Sequence, residues 1–352
     1  MIKGTDVRLP LQKPSNTSTG STSASSQATS SSAMTPPLSY LASGLASQTV
    51  KAHLAPSSSK LTFYGNSYCP FAQRIWIALE IKEIPYQYVE VVPAHLSATP
   101  RLPPDLLELN PDSVIPCIRH GNWAVWESGV MMEYLEDLAM GHSLLPLGKP
   151  QLRAHCRLWT DHINRKILPA FYSLLLTPPP STAAGQQQVS PASEGRDSAA
   201  DAALVEQHSV LITTLQKAIT ALVNASHATG PFFLGSEIGF VDVALAPWII
   251  RLSRVLSYYR NFPRPEIGTR WQKWVDAIEA DDRVRRTVSE DNSYHGVYRG
   301  VGEDGWDGKA NMGTRKAMVE MAYARRLVGQ EGFGLGGDVW GRLKKEDAQP
   351  NC

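Results

Sequence analysis

Ser67-Tyr68-Cys69-Pro70-Phe71-Ala72-Gln73-Arg74 sets one cysteine directly before a proline, at the head of an apolar run with helical spacing. Proline suits the first helical position, where a backbone N–H has no intrahelical acceptor, so Cys69 falls at the N-cap. There the thiol sits beside the positive end of the helix dipole, which favours the thiolate and makes Cys69 a candidate nucleophile. The preceding Leu61-Thr62-Phe63-Tyr64 reads as a short strand closed by Gly65-Asn66, so the cysteine is carried on a strand-to-helix turn.

Working outward, Phe71, Ala72, Ile75, Trp76 and Leu79 recur at helical spacing up to Glu83, and Tyr86–Val92 alternates as a second strand. Pro103-Pro104 opens a short helix ended by Asn110-Pro111. Val114–Ile118 is a strand entered through Pro116, and Gly121-Asn122 turns it into Trp123–Trp126. Glu127-Ser128 starts a helix running to about Met140. The order over 59–143 is β-α-β-α-β-β-α, an α/β unit with helices on a small mixed sheet. Leu144–Pro150 links it to an all-helical domain at 151–290, with helices at Leu152–Leu176 (Pro169 a candidate kink), Leu204–Val223, Gly239–Tyr258, Arg270–Ala280 and a short one from Asp282. Asp242 is read as a reciprocal cap on the helix that Gly239 begins. Residues 177–203 form a Pro/Ser/Gln/Ala-rich insertion expected to be a mobile loop. Residues 1–58 read as a disordered low-complexity extension, with order starting near Lys60, and 291–352 as a Gly-rich tail in which Met318, Met321, Ala322 and Val328 share a helical face.

Composition narrows the function classes. A length of 352 residues suits about two domains, and a formal net charge of +1 implies no nucleic-acid partner. Cys69, Cys117, Cys156 and Cys352 are scattered without a CxxC pair, which fits neither a disulfide framework nor a zinc knuckle. Cys117 and Cys156 read as packing residues. His155 and His162 lack the further ligands a metal site needs, so no metal is expected. No apolar run approaches the roughly 20 residues of a membrane span. The N-terminus is Ser/Thr-rich and acid-poor like a transit peptide, yet poor in basic residues, so a cytoplasmic location is expected and mitochondrial import is the minor alternative.

Three elements converge in this topology: Cys69-Pro70-Phe71, Ile115-Pro116 and Glu127-Ser128. A cis Ile115–Pro116 bond would turn the Ile115 N–H and C=O toward an extended peptide. The helix start at Glu127-Ser128 offers N–H groups to a carboxylate. Together they suit a small peptide thiol bearing an amine and carboxylates.

With Cys69-Pro70-Phe71-Ala72-Gln73-Arg74-Ile75-Trp76-Ile77, Asn110-Pro111-x-x-Val114-Ile115-Pro116, Glu127-Ser128 and Gly239–Asp242 in that order, the chain resembles the glutathione transferase superfamily. It is most similar to the cysteine-type classes: omega, lambda and the dehydroascorbate reductases. The resemblance covers about 60–290 and implies a thioredoxin-like domain followed by an all-α domain. It implies glutathione as co-substrate, with Cys69 forming a mixed disulfide. Ile115 would pair with the cysteinyl backbone, with Pro116 also in the glutathione site, Glu127 and Ser128 would hold the γ-glutamyl end, and Phe71 would line the site. Omega members often carry a lysine before the Asn-Pro motif; here the nearby cation is Arg101. Gly239 departs from the usual Ser/Thr cap. Trp248, Arg251 and Tyr258 either border the acceptor-substrate site or simply pack, and Tyr294, His295 and Tyr298 are weaker candidates for covering the cleft. A homodimer is implied as well.

The chemistry follows from Ala72, which stands where a CxxC enzyme has its second cysteine. Cys69 has no internal resolving thiol, so a second glutathione must complete the cycle. That favours thiol–disulfide exchange, deglutathionylation and dehydroascorbate-type reduction of a small disulfide, glutathionylated or electrophilic substrate. Two alternatives stay open: a binding or regulatory protein with little turnover, and a conjugating transferase using a hydroxyl from Ser67, Tyr68 or Tyr64.

Overall fold

Phe63 and Tyr64 are fully buried in β1 (Leu61–Gly65), a central strand with a neighbour on each edge. A computed structural model of the chain describes residues 40–92, 101–110, 115–180 and 198–304. β2 (Gln87–Glu90) runs parallel to β1, with Phe63 opposite Tyr88. β3 (Cys117–His120) runs antiparallel on the other edge, with Phe63 opposite Ile118, and β4 (Trp123–Trp126) pairs with β3. The order is β2-β1-β3-β4. A parallel β1–β2 pair needs a crossover, supplied by α2 (Pro70–Lys82). The short α3 (Pro104–Leu109) follows β2, and α4 (Ser128–Asp137) follows β4. The thioredoxin-like β-α-β-α-β-β-α order is therefore present, with helices on a four-stranded mixed sheet.

α2 is the spine of the molecule. Twelve of its thirteen residues are buried, because one side lies on the sheet and the other on the helical domain. A helix this apolar all round must be covered all round. Its few polar groups carry partners: at the C-terminal end Lys82 Nζ is 2.6 Å from Glu136 Oε1, with side chains 1% and 2% exposed. Burial pushes the Glu136 carboxyl up, but the Lys82 ammonium, the Leu144 amide and the Ser143 hydroxyl outweigh it and hold it below the usual carboxylate range. The chain passes α2 so closely there that a Cβ on Gly141, at φ +62°, would lie 1.7 Å from the Lys82 carbonyl oxygen.

The second domain is helical throughout: α5 (Pro150–His162), α6 (Leu168–Leu176), α7 (Ser198–Asn224), α8 (Phe240–Arg251), α9 (Ser257–Arg260), α10 (Arg270–Ala280) and α11 (Asp282–Arg285). A π-helical turn, Ile163–Ile167, interrupts the helix just before Pro169, the candidate kink position. A second π turn, Leu252–Leu256, divides α8 from α9 in the helix read as running from Gly239 to Tyr258. All twelve residues of α8 are buried. Asp242 does act as a reciprocal cap: Oδ2 accepts from Gly239 N at 2.9 Å, while Oδ1 accepts from Phe233 N at 2.9 Å and Trp274 Nε1 at 2.7 Å. His155 and His162 are half-buried and contact the carbonyls of Ala225 and Ala218 beside α7.

Three expectations need correction. Ordered structure begins well before Lys60: α1 (Gly44–Ala52) buries Ala46, Thr49 and Val50. Its partners lie in distant sequence, which is why a Ser-rich local composition hid it. Thr49 Oγ1 donates to Arg286 O at 2.8 Å, Ser43 Oγ meets Ser293 Oγ at 2.8 Å, and Glu290 N donates to Ser43 Oγ at 3.0 Å. The start of the expected tail is also structured: α12 (Asp291–Asp304) buries Tyr294 to 2% exposure. Finally, α7 begins at Ser198, inside the stretch read as an insertion. Residues 1–39 and 181–197, the Met318/Met321/Ala322/Val328 face and Cys352 lie outside the described residues.

Candidate functional site

The turn between β1 and α2 is fixed from beneath. Asn66 is fully buried; its Nδ2 donates to the carbonyls of Val91 at 2.8 Å and Tyr40 at 2.9 Å, and its Oδ1 accepts from Tyr68 N at 3.0 Å. This side-chain turn delivers Cys69 in extended backbone (φ −79°, ψ 116°) at the N-cap of α2, with Pro70 at the first helical position. The Cys69 side chain makes no capping bond. It is 4% exposed, and its Sγ lies 3.9 Å from the Ile115 carbonyl oxygen.

That contact joins the first element to the second. Ile115 is 6% exposed, and the Ile115–Pro116 peptide is cis, the isomer whose consequences the sequence reading considered. Cys117, two residues on, has its thiol pushed up to about 12 by burial and then by Asp105, and burial takes Cys156 to about 11. Both behave as packed thiols that stay protonated near neutral pH.

The third element departs from ordinary backbone. Glu127 takes φ 70° and ψ 106° at the start of α4, a region non-glycine residues rarely enter. Such strain clusters where function holds it in place, and here it stands beside the N–H groups of a helix start. Ser128 is buried, and its Oγ accepts from Arg74 Nη1 at 3.2 Å. Arg74 lies one turn into α2, so α2 carries Cys69 and also fixes the head of α4. The same guanidinium donates from Nε to Ala244 O at 3.1 Å and from Nη2 to Asn164 Oδ1 at 3.0 Å, reaching both α8 and the π turn after α5. Complete burial pulls it down to about 9.

Other candidates fall differently. Phe71 is half-buried and packs edge-on against Trp248 with ring centroids 5.2 Å apart, and the Arg74 guanidinium lies 4.7 Å from the Trp248 ring. Trp248 and Arg251 are both fully buried and so present no surface to an acceptor substrate. The reason is the position of α8, which packs directly on α2. Tyr258 is 57% exposed and stacks on His295 at 3.9 Å; the three expected acceptor residues do not form one surface. Arg101 is exposed, its backbone bridged to Val92. The Tyr64 hydroxyl donates to Asp105, and burial followed by that carboxylate pushes the phenol well above its ordinary range, a poor arrangement for activating a thiol. Ser67 is buried in the same turn as Cys69.

Arg74, Asn164 and Arg251 act as ties between the domains, which the sequence reading did not identify. A usable signal existed for the two arginines: Arg251 is the one cation of α8, Arg74 is one of two in α2, and neither helix has a polar face to hold them.

Comparison with known proteins agrees with this geometry. The model of the glutathione S-transferase N-terminal domain matches residues 68–138, and that of the C-terminal domain matches 196–277. The crystal structure of glutathione transferase Omega 3C from Trametes versicolor is 31% identical, with a TM-score of 0.57, over 73% of this chain and 97% of that one. Glutathione S-transferase GstB of Escherichia coli (strain K12) is 27% identical over 65% of this chain and 97% of its own length. Glutathione S-transferase DHAR2 of Arabidopsis thaliana is 25% identical over 69% of this chain and 91% of its own. The chain belongs to the glutathione transferase family. Its activity is accordingly that of a glutathione-dependent transferase. Among the described residues, no helix is long and apolar enough to cross a membrane.

Proposed function

We propose that the protein is an omega-like glutathione-dependent thiol transferase working through a glutathionyl-Cys69 intermediate. The observation that carries this reading is a lone cysteine at the N-cap of α2, followed at the third position by Ala72. In the first step the Cys69 thiolate attacks the glutathione sulfur of a mixed disulfide. The Cys69–glutathione S–S bond forms, the substrate S–S bond breaks, and the substrate leaves as a thiolate that takes a proton from water. In the second step a glutathione thiolate attacks that intermediate, releasing oxidised glutathione and regenerating the Cys69 thiolate. Cys69 is used without net oxidation, and two electrons come from glutathione. Dehydroascorbate-type reduction needs a different first step: the Cys69 thiolate adds to a dehydroascorbate carbonyl carbon and the carbonyl oxygen takes a proton, then a glutathione thiolate attacks the Cys69 sulfur, breaking the C–S bond to release ascorbate and leaving glutathionyl-Cys69, which a second glutathione resolves as above.

In this reading the Ile115 backbone, beside Sγ, pairs with the cysteinyl part of glutathione, next to the cis Pro116. Glu127 and Ser128 take the γ-glutamyl end, Phe71 borders the groove, and Arg101 meets the glycyl carboxylate. A homodimer is proposed as the working form.

The test is mass spectrometry after exposure to oxidised glutathione, with turnover measured on glutathione and a small mixed disulfide. One glutathione adduct is expected on Cys69, removed by reduced glutathione, and Cys69→Ala should abolish turnover. Full turnover in Cys69→Ala protein would overturn the proposal.

A further inference from the structure

One fully buried side chain of the helical domain reaches the turn that carries Cys69. Arg251 closes α8, and all five of its N–H donors are used. Nε donates to the Tyr298 hydroxyl at 2.9 Å. Nη1 donates to Gln73 Oε1 at 2.6 Å and Pro247 O at 2.8 Å. Nη2 donates to Tyr68 O at 2.8 Å and Ser67 O at 3.4 Å. None of these acceptors is a carboxylate. The ring of Tyr294 lies 5.2 Å from the guanidinium. Four separate pieces of chain, namely the turn before Cys69, α2, α8 and α12, thus meet on one planar fork.

Two of these bonds bear directly on the thiol. The Tyr68 carbonyl belongs to the Tyr68–Cys69 peptide, so a charged donor on that oxygen fixes the plane from which Cys69 projects. On the other side of Cys69, its own carbonyl accepts from Gln73 N at 2.9 Å. The Gln73 side chain is gripped in turn by Arg251 and, through Nε2, by the Thr287 carbonyl at 3.1 Å. Both peptide groups flanking Cys69 are therefore tied to the guanidinium, directly or through Gln73. A cation serving only the C-terminal dipole of α8 would spend its donors on the carbonyls of α8; Arg251 spends one there, on Pro247.

We infer that Arg251, oriented by Tyr298 of α12, is a positioning residue that aims the Cys69 sulfur at the incoming disulfide. The inference rests on the proposed role of Cys69 as nucleophile. Its consequence is that α12 forms part of the exchange machinery without touching substrate.

Two variants of the full chain test it. Arg251→Lys keeps the charge and loses the fork; Tyr298→Phe keeps the ring and loses one acceptor. Four quantities are read: the rate of single-turnover glutathionylation of Cys69 by oxidised glutathione, kcat, KM for glutathione, and the thermal midpoint. Misaiming a reacting atom by about 1 Å costs on the order of a hundredfold. Arg251→Lys should therefore slow glutathionylation and lower kcat by roughly ten- to a hundredfold. KM should change by less than about twofold, because the proposed glutathione contacts lie on other elements. Tyr298→Phe, which keeps the packing and carries the test if Arg251→Lys fails to fold, should lose roughly three- to tenfold. Wild-type glutathionylation rates in folded Tyr298→Phe and Arg251→Lys protein would overturn the inference. So would a lowered midpoint with unchanged rate per folded molecule, the mark of a purely structural role. The two levels fail separately: no Cys69 adduct in the unmodified protein removes the nucleophile itself, whereas an adduct formed at equal rates in all three proteins removes only the positioning role.

Discussion

The two ends of α2 handle buried charge in opposite ways. At the C-terminal end, Lys82 is matched by Glu136, and the carboxylate is further held by the amides of Leu144 and Leu145 and the Ser143 hydroxyl. At the N-terminal end, Arg74 and Arg251 are buried against neutral oxygens: carbonyls, hydroxyls and side-chain amides. Burying a cation without a matching anion is costly, and such groups persist where they serve something other than stability. The neutralised end secures the linker to the second domain. The positive end is the one that carries Cys69, where the proposed chemistry would bring a thiolate and an anionic tripeptide.

This contrast can be broken by substitution. Lys82→Ala should have the largest effect on stability, about 3–5 kcal/mol by urea unfolding, because it strands a buried carboxylate. Turnover per folded molecule should remain near wild type; a large fall in kcat would erase the distinction between the ends. Glu136→Gln sharpens the same point through pH. The folded Glu136 carboxyl lies below its ordinary value, so its contribution is complete above the unfolded pKa of about 4.3 and disappears as pH falls through the folded value. The gap in unfolding free energy between Glu136→Gln and wild type should therefore be wide at pH 7 and close below about pH 4. A gap independent of pH would contradict the assignment.

Arg74→Met should cost less stability than Lys82→Ala, roughly 1–3 kcal/mol, since the groups it strands are neutral. Its larger signature should be functional: with Ser128 no longer held, KM for glutathione should rise about tenfold, equivalent to roughly 1.4 kcal/mol of lost binding. An unchanged KM would mean that Arg74 does not order the head of α4. At the bottom of the scale, Arg157 and Glu133 pair at 2.6 Å with side chains 41% and 34% exposed. Arg157→Ala should change stability by at most about 1 kcal/mol, and added salt should shrink even that.

The reading from sequence succeeded where local signals decide the outcome. Pro70 placed the start of α2, the Gly121-Asn122 turn placed the β3–β4 hairpin, and Asp242 behaved as the cap its spacing suggested. It stopped short where distant contacts decide. α1 is held by residues some 240 positions away, so a window of Ser and Ala around it carries no trace of that order. Arg251 at a helix C-terminus looks like an ordinary dipole partner or a residue bordering a cleft, and only its five acceptors reveal the tie to the Cys69 turn. The positive φ of Glu127 has no signature in residue type, since glutamate does not favour that region.

The contacts of Ser43 and Thr49 with residues 286–293 carry one more consequence. They bring the two flanks of the paired domains together, and Tyr40 and Tyr294 line a single small cavity. A protein trimmed to residues 59–290, the span suggested by composition, would lose α1 and α12 together and expose the seam they cover.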